Sequence, residues 1–150
     1  MIKGNYKQVE ILLVEDNSDE AELAIRELTK HKLANDLLHV HDGQEALEFI
    51  FGTGRYEGRS IDDPPKVILL DLKMPKIDGI EVLKRVRADE RTCTIPVVVL
   101  TSSNQEKDIT ESYRLGVNSY IVKPISFDNF SNSIKEIGYY WLVLNKVAGK

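Results

Sequence analysis

The chain has little of what marks several classes of protein. It has a single cysteine, Cys93, which excludes an internal disulfide and a cysteine-ligated metal site. No apolar run approaches the roughly 20 residues that a membrane-spanning helix needs, and the first residues do not resemble a signal peptide. The formal charge is −4, with no long run of lysine or arginine, so we expect no basic face for nucleic acid. These features favour a cytoplasmic protein that binds neither membranes nor nucleic acid.

The rest of the composition is typical of an ordinary globular protein. Apolar residues make up 42% and charged residues 29% of the 150 residues, a length that suits one domain with a sizeable core. Repeats and low-complexity segments are absent from the sequence. We therefore expect a single domain over residues 1–150, with a core from about 9 to 137 and an apolar extension from about 138 to 150.

Apolar, β-rich runs alternate with helical patterns five times along the chain. The runs predict strands at about 9–14, 36–40, 67–71, 96–100 and 119–122. Four of the intervening helices carry capping-box spacings, in which a glutamate follows three residues after the cap: Asn17, Asp42, Asp78 and Ser103. A fifth helix is predicted to start near Ser126. Right-handed crossovers then predict an α/β fold, a (βα)₅ doubly wound five-stranded parallel sheet.

Charged residues stand at the carboxyl ends of three predicted strands. Glu15 and Asp16 follow the first strand, Asp71 follows the third, and Lys123 follows the fifth. Because these ends meet at one edge of a parallel sheet, we expect three carboxylates and one ammonium to lie together there. Crowded acids resist ionising together unless a cation joins them, and oxygen donors suit a hard divalent ion, which we expect to be Mg²⁺. The sequence predicts a metal-dependent site for an anion, with phosphate as that anion.

These motifs resemble the receiver domains of response regulators in two-component signalling. The resemblance covers residues from about 9 to 137 and is carried by several segments in the family's order: Glu15-Asp16, Asp71 within Asp-Leu-Lys-Met-Pro, Asp78-Gly79, Thr101 and Lys123-Pro124. It implies a flavodoxin-like sheet of order 2-1-3-4-5. It also implies that Asp71 accepts a phosphoryl group, usually from a phosphohistidine of a sensor histidine kinase. The chain would then be a signalling protein that catalyses only its own phosphorylation and dephosphorylation.

The resemblance further implies a ligand set for the metal. Mg²⁺ would be held by Asp16, Asp71 and the main-chain carbonyl of Lys73, and Glu15 would reach it through water or directly. Lys123 would pair with one phosphoryl oxygen and the Thr101 hydroxyl with another. Catalysis would then depend on positioning and electrostatics, with little acid-base work.

Thr101 and Tyr120 match the conformational switch of the family. In that switch the threonine is drawn to the phosphoryl group and the aromatic ring turns inward. The plainer interpretations are that Thr101 caps a helix, that Tyr120 is an ordinary strand tyrosine and that Lys123 is a surface lysine. By resemblance, the bond between Lys123 and Pro124 is expected to be cis.

Two positions depart from many relatives. Lys73 stands two residues after Asp71, where many relatives have asparagine, and Ser103 stands two residues after Thr101. Both positions border the path of the hydrolytic water in this family. A lysine there could form a salt bridge with the phosphoryl group or obstruct the water, so the sequence leaves the lifetime of the phosphoryl group open.

The segment 52–65, rich in Gly and Pro, and the apolar tail at 139–144 narrow the resemblance to small stand-alone regulators of bacterial phytochrome kinases. The output would be protein contact or phosphate relay, and a phosphate-independent adaptor is the alternative. A homodimer through the fourth helix, fifth strand, fifth helix and tail is one expectation; a tail folded back on its own domain is the other.

Two rival functional classes fit the sequence poorly. A dehalogenase-like hydrolase needs an acid at position 73, and a flavodoxin-like cofactor module needs a less acidic loop than 15–20.

Overall fold

The computed structural model describes residues 9–30, 36–123 and Asn132. Within these residues five parallel strands form one sheet of order β2-β1-β3-β4-β5. The strands are β1 (Ile11–Val14), β2 (Leu37–Val40), β3 (Val67–Leu70), β4 (Val97–Thr101) and β5 (Ser119–Val122). The predicted (βα)₅ class and the strand order are therefore confirmed for the sheet. The predicted fifth helix, Pro124 and the apolar tail lie outside the described residues.

Helices cover both faces of the sheet because side chains of a strand alternate between its faces. The helices are α1 (Ser18–Lys30), α2 (Gly43–Phe51), α3 (Gly79–Ala88) and α4 (Glu106–Arg114). Leu12 and Val14 point to the core shared with α2 and α3, whereas Ile11 and Leu13 point to the core shared with α1. The three central strands are buried along their whole length, as expected for a parallel sheet covered on both sides.

Three of the four predicted caps are confirmed. Asn17 accepts a hydrogen bond from the main-chain nitrogen of Glu20 at 3.0 Å, Asp42 from Glu45 at 2.7 Å and Asp78 from Glu81 at 3.0 Å. The prediction that Ser103 caps the fourth helix is wrong. The N-cap is Gln105, two residues later, because the Ser103 hydroxyl accepts from the main-chain nitrogen of Gln105 at 3.4 Å, ahead of the helix, and donates to Asp108 at 2.5 Å.

The long connection before β3 is ordered by polar contacts with α2. It contains a short 3₁₀ helix, Gly54–Tyr56. The Tyr56 hydroxyl donates to Glu45 at 2.7 Å. The Arg59 guanidinium lies 4.0 Å from the centre of the Phe49 ring and donates to the Phe49 carbonyl at 2.8 Å.

Among the helices of the described ranges, none is long and apolar enough to cross a membrane.

Candidate functional site

The acidic residues predicted from three strand ends do come together. Strands β1 and β3 pair in register, with Val14 opposite Leu70, so Glu15 and Asp71 leave the sheet side by side. Main-chain bonds extend the ladder past the strand ends, from Asp71 to the Val14 carbonyl and from Glu15 to the Val40 carbonyl, both at 3.1 Å. Carboxylate oxygens of Glu15, Asp16 and Asp71 all lie within 4.8 Å of one another.

These carboxylates differ in their exposure to water. Glu15 is 3% exposed and Asp71 is 5% exposed, whereas Asp16 is an exposed residue. Burial raises the pKa of Glu15 from its ordinary 4.5 to about 7, and the charge of Asp71 adds to this effect although Lys123 opposes it. A divalent cation would offset the repulsion between these groups, and their oxygen donors suit Mg²⁺.

Lys123 supplies the positive charge of the site. Its ammonium lies 2.9 Å from Glu15 Oε1 and 3.5 Å from Asp71 Oδ2. Burial favours the neutral amine, but hydrogen bonds to Glu15 and Glu20 outweigh this effect and raise the pKa of Lys123 overall. The main-chain nitrogen of Lys123 donates to the Thr101 carbonyl at 2.7 Å, which ties the lysine to the end of β4. A charged ammonium is therefore held against the Asp71 carboxylate.

Glu20 joins the site although the sequence marked it only as part of a capping box. Its carboxylate forms an ion pair with the Lys123 ammonium from the first turn of α1. The signal was visible in principle: a residue in the first turn after β1 starts its helix at the same sheet edge as Glu15. The side chain of Glu20 competes with any incoming anion for Lys123.

Gly79 fixes the main chain on one side of Asp71. A Cβ atom built at Gly79 would lie 2.4 Å from the Asp71 carbonyl oxygen and 2.7 Å from the Leu72 Cα. The Gly79 nitrogen donates to the Leu72 carbonyl at 2.9 Å, so α3 begins in direct contact with the loop after β3. This close approach explains why glycine follows the capping aspartate.

Thr101 and Tyr120 meet at the loop after β4. Thr101 is fully buried, and its hydroxyl accepts a hydrogen bond from the Ser103 nitrogen at 3.3 Å. The Tyr120 hydroxyl donates to the Ser103 carbonyl at 3.0 Å, and burial raises the pKa of this tyrosine. Both predicted switch residues therefore hold the same main-chain segment.

Lys73 connects the loop after β3 to α4. Its main-chain nitrogen donates to Asp71 Oδ1 at 3.2 Å, while its ammonium lies 3.1 Å from Asp108 Oδ2. Asp108 is not marked in the sequence, because nothing in the local pattern around position 108 indicates a partner 35 residues earlier in the chain.

The comparison with known families decides the assignment. The family model for the response regulator receiver domain matches residues 11–135. The chain belongs to the response regulator receiver family. It is 40% identical over 139 residues to "Probable methanogenesis regulatory protein FilR2" of Methanothrix harundinacea, covering 93% of this chain and 87% of that protein.

Other receivers similar to this chain include a cyanobacterial response regulator and a bacteriophytochrome response regulator. Response regulator Rcp1 of Synechocystis sp. is 37% identical over 132 residues, with 88% of both chains covered, and a structure of its Mn²⁺-bound form superposes with a TM-score of 0.76. The bacteriophytochrome response regulator RtBRR is 44% identical with a TM-score of 0.78, covering 90% of this chain and 81% of that one. The resemblance to phytochrome-type regulators is thus confirmed at the level of sequence and fold.

Proposed function

We propose that this receiver accepts a phosphoryl group on Asp71 from the phosphohistidine of a sensor histidine kinase, in a reaction that depends on Mg²⁺. The observation that supports this most directly is the Lys123 ammonium 3.5 Å from the Asp71 carboxylate, beside the cluster of Glu15, Asp16 and Asp71. A carboxylate is a competent nucleophile toward phosphorus. In the transfer, an Asp71 oxygen forms a bond to phosphorus while the bond from phosphorus to the histidine nitrogen breaks.

The metal ligands in this proposal are Asp16, Asp71, the main-chain carbonyl of Lys73 and Glu15, directly or through water. The cluster of carboxylate oxygens has the donor type and crowding that Mg²⁺ requires. When bound, Mg²⁺ neutralises negative charge on the phosphoryl oxygens. The buried Glu15 carboxyl, whose pKa is raised in the metal-free protein, would ionise beside such a cation.

Lys123 and Thr101 complete the binding of the phosphoryl group. The charged Lys123 ammonium already lies next to Asp71. Lys123 can give up its ion pair with Glu20 and pair with a phosphoryl oxygen instead. Donors that are in place before the reaction stabilise developing charge without reorganisation. The Thr101 hydroxyl would have to leave its bond with Ser103 to contact the phosphoryl group, and this would move the loop after β4.

That movement is the conformational switch that we propose. Tyr120 is hydrogen-bonded to the same Ser103 carbonyl, so a shift of Ser103 changes the environment of the tyrosine. Phosphorylation would then alter the surface formed by α4 and β5, and with it the contacts to other proteins. The similarity to the bacteriophytochrome response regulator RtBRR supports a phytochrome-type histidine kinase as the phosphoryl donor.

Phosphorylation with a small donor tests the proposal. Acetyl phosphate with Mg²⁺ should add one phosphoryl group, detected by intact mass, and chelation of Mg²⁺ should prevent it. Asp71→Asn should abolish the addition, whereas the matched change at an exposed aspartate, Asp62→Asn, should not. Labelling of the Asp71→Asn protein at the wild-type level would refute the acceptor. Transfer from a phosphorylated phytochrome-type kinase, followed by the same mass measurement, tests the partner.

The ligand order has its own test. Asp16→Asn should weaken Mg²⁺ binding more than Glu15→Gln, because the first change removes a direct ligand and the second a ligand that water can replace. Calorimetric titration with Mg²⁺ measures both. A larger loss with Glu15→Gln would show that Glu15 is the direct ligand.

A further inference from the structure

The ion pair between Lys73 and Asp108 lies next to the acceptor but outside the proposed catalytic set. The Lys73 ammonium is 3.1 Å from Asp108 Oδ2, with the lysine side chain 52% exposed and the aspartate side chain 12% exposed. A hydrogen bond from the Ser103 hydroxyl holds the pKa of the Asp108 carboxyl below its ordinary value, and Lys73 lowers it further. Asp108 is therefore a carboxylate at neutral pH, anchored on one side and paired with a movable lysine on the other.

Ser103 connects this pair to both switch residues. Its nitrogen donates to the Thr101 hydroxyl, its carbonyl accepts from the Tyr120 hydroxyl, and its own hydroxyl donates to Asp108 at 2.5 Å. A change in the partner of Asp108 is thus transmitted to the loop that holds Thr101 and Tyr120.

Lys73 also has a direct link to the acceptor. Its main-chain nitrogen is 3.2 Å from Asp71 Oδ1, so a phosphoryl group on Asp71 would lie within the reach of the four-carbon lysine side chain. Exposed ion pairs contribute only about 0.2–1 kcal/mol, and the Lys73 side chain is half-exposed. A new dianionic group beside Asp71 can compete with Asp108 for this ammonium.

We propose that Lys73 exchanges Asp108 for the phosphoryl group when Asp71 is phosphorylated, so that Asp108 sets how tightly the receiver holds that group. The inference rests on the proposed function of Asp71. Asp108 is a positioning residue, since it acts through Lys73 and does not contact the phosphoryl group. The exchange also breaks the ion pair that joins the loop after β3 to the first turn of α4. Phosphorylation would thus affect α4 in a second way, in addition to the movement of Thr101 and Tyr120.

A double-mutant cycle tests the exchange. The probe is beryllium trifluoride, an anion that mimics a phosphoryl group on a carboxylate, titrated at saturating Mg²⁺ and followed by the bound ¹⁹F signal. Asp108→Asn frees Lys73 while keeping an oxygen for the Ser103 hydroxyl, so the mimic should bind about two- to fivefold tighter, corresponding to the strength of an exposed ion pair. In the Lys73→Met background the same change should have a clearly smaller effect.

The outcomes separate the alternatives. Equal effects of Asp108→Asn in both backgrounds would show a through-space charge effect and overturn the exchange, as would no effect in either. If Asp108→Asn fails to fold, Lys73→Met alone decides: it should weaken binding of the mimic, and the matched change of an exposed lysine in α3, Lys84→Met, should not. Equal affinities for these two variants would overturn the inference.

Failure of the proposed function would look different. If Asp71 is not the acceptor, wild type and every variant with Asp71 intact would bind the mimic no better than Asp71→Asn. If binding depends on Asp71 but the cycle shows no coupling, the acceptor stands and the role of Asp108 falls.

Discussion

Replacing Glu15 with glutamine removes a buried carboxylate whose pKa is raised to about 7 by burial and by the charge of Asp71. The unfolded chain releases this proton near the ordinary value of 4.5, whereas the folded protein keeps it until about pH 7. Between these values the native state binds more protons than the unfolded state, so the free energy of unfolding falls as the pH rises. The favourable contribution is complete below pH 4.5 and lost above pH 7.

The size of this effect follows from the shift. A pKa raised from 4.5 to about 7 corresponds to about 3 kcal/mol. Because protonated glutamate and glutamine are close in shape and hydrogen bonding, Glu15→Gln and wild type should be about equally stable at pH 4. At pH 8, in the absence of metal, the variant should be more stable by up to about 3 kcal/mol.

Urea unfolding in the presence of a chelator, followed by circular dichroism from pH 4 to pH 8, measures this difference. The exposed residue Glu57 provides the matched control, and Glu57→Gln should follow the wild-type profile. Saturating Mg²⁺ should flatten the wild-type profile above pH 5, because a bound cation favours the ionised carboxylate. Parallel profiles of Glu15→Gln and wild type across the pH range would refute the argument from burial.

Three further predictions concern the same protein. Glu20→Gln removes a competitor for Lys123, so phosphorylation by acetyl phosphate should be about two- to fivefold faster; an unchanged or slower initial rate would contradict this. Asp71→Ala should raise the melting temperature of the metal-free protein by relieving repulsion, and Mg²⁺ should then raise that of wild type more than that of the variant; a variant melting below wild type would count against crowded acids. Wild type should sediment as a dimer that truncation after Gly138 abolishes; a monomer with Trp141 already shielded from quenchers would favour a folded-back tail.

The sequence predicted those parts of the fold that depend on short-range patterns. The apolar runs Ile11–Val14, Val67–Leu70 and Val97–Thr101 are strands buried on both faces, as their uninterrupted apolar sequence predicted. Asn17 and Asp42 cap their helices as predicted. A cap is a hydrogen bond between residues three apart in the chain, so the sequence spacing alone is enough to predict it.

Contacts that depend on the direction of a side chain could not be predicted from the sequence. Ser103 has the spacing of a cap, but its hydroxyl accepts from the Gln105 nitrogen and donates to the Asp108 carboxylate, and the helix starts later than predicted. The pairs of Lys73 with Asp108 and of Lys123 with Glu20 each join a residue that follows a strand to a helix distant in sequence. Lys123 lies near three carboxylates, those of Glu15, Glu20 and Asp71, and only the packed geometry brings these groups together.

Because position 79 is glycine, α3 packs tightly against the loop after β3, and this side of the site is more constrained than the loop after β4. The Asp71 main chain is clamped between the β1 ladder and the backbone of α3, where even one methyl group would collide. Ser103, in contrast, is held by single hydrogen bonds, three with side chains and one from the main-chain nitrogen of Gln105. Substitutions in the loop after β4 should therefore change the conformational response to phosphorylation without preventing phosphorylation of Asp71. Gly79→Ala should instead reduce phosphorylation of Asp71 itself. Engineering of new outputs should start from the loop after β4.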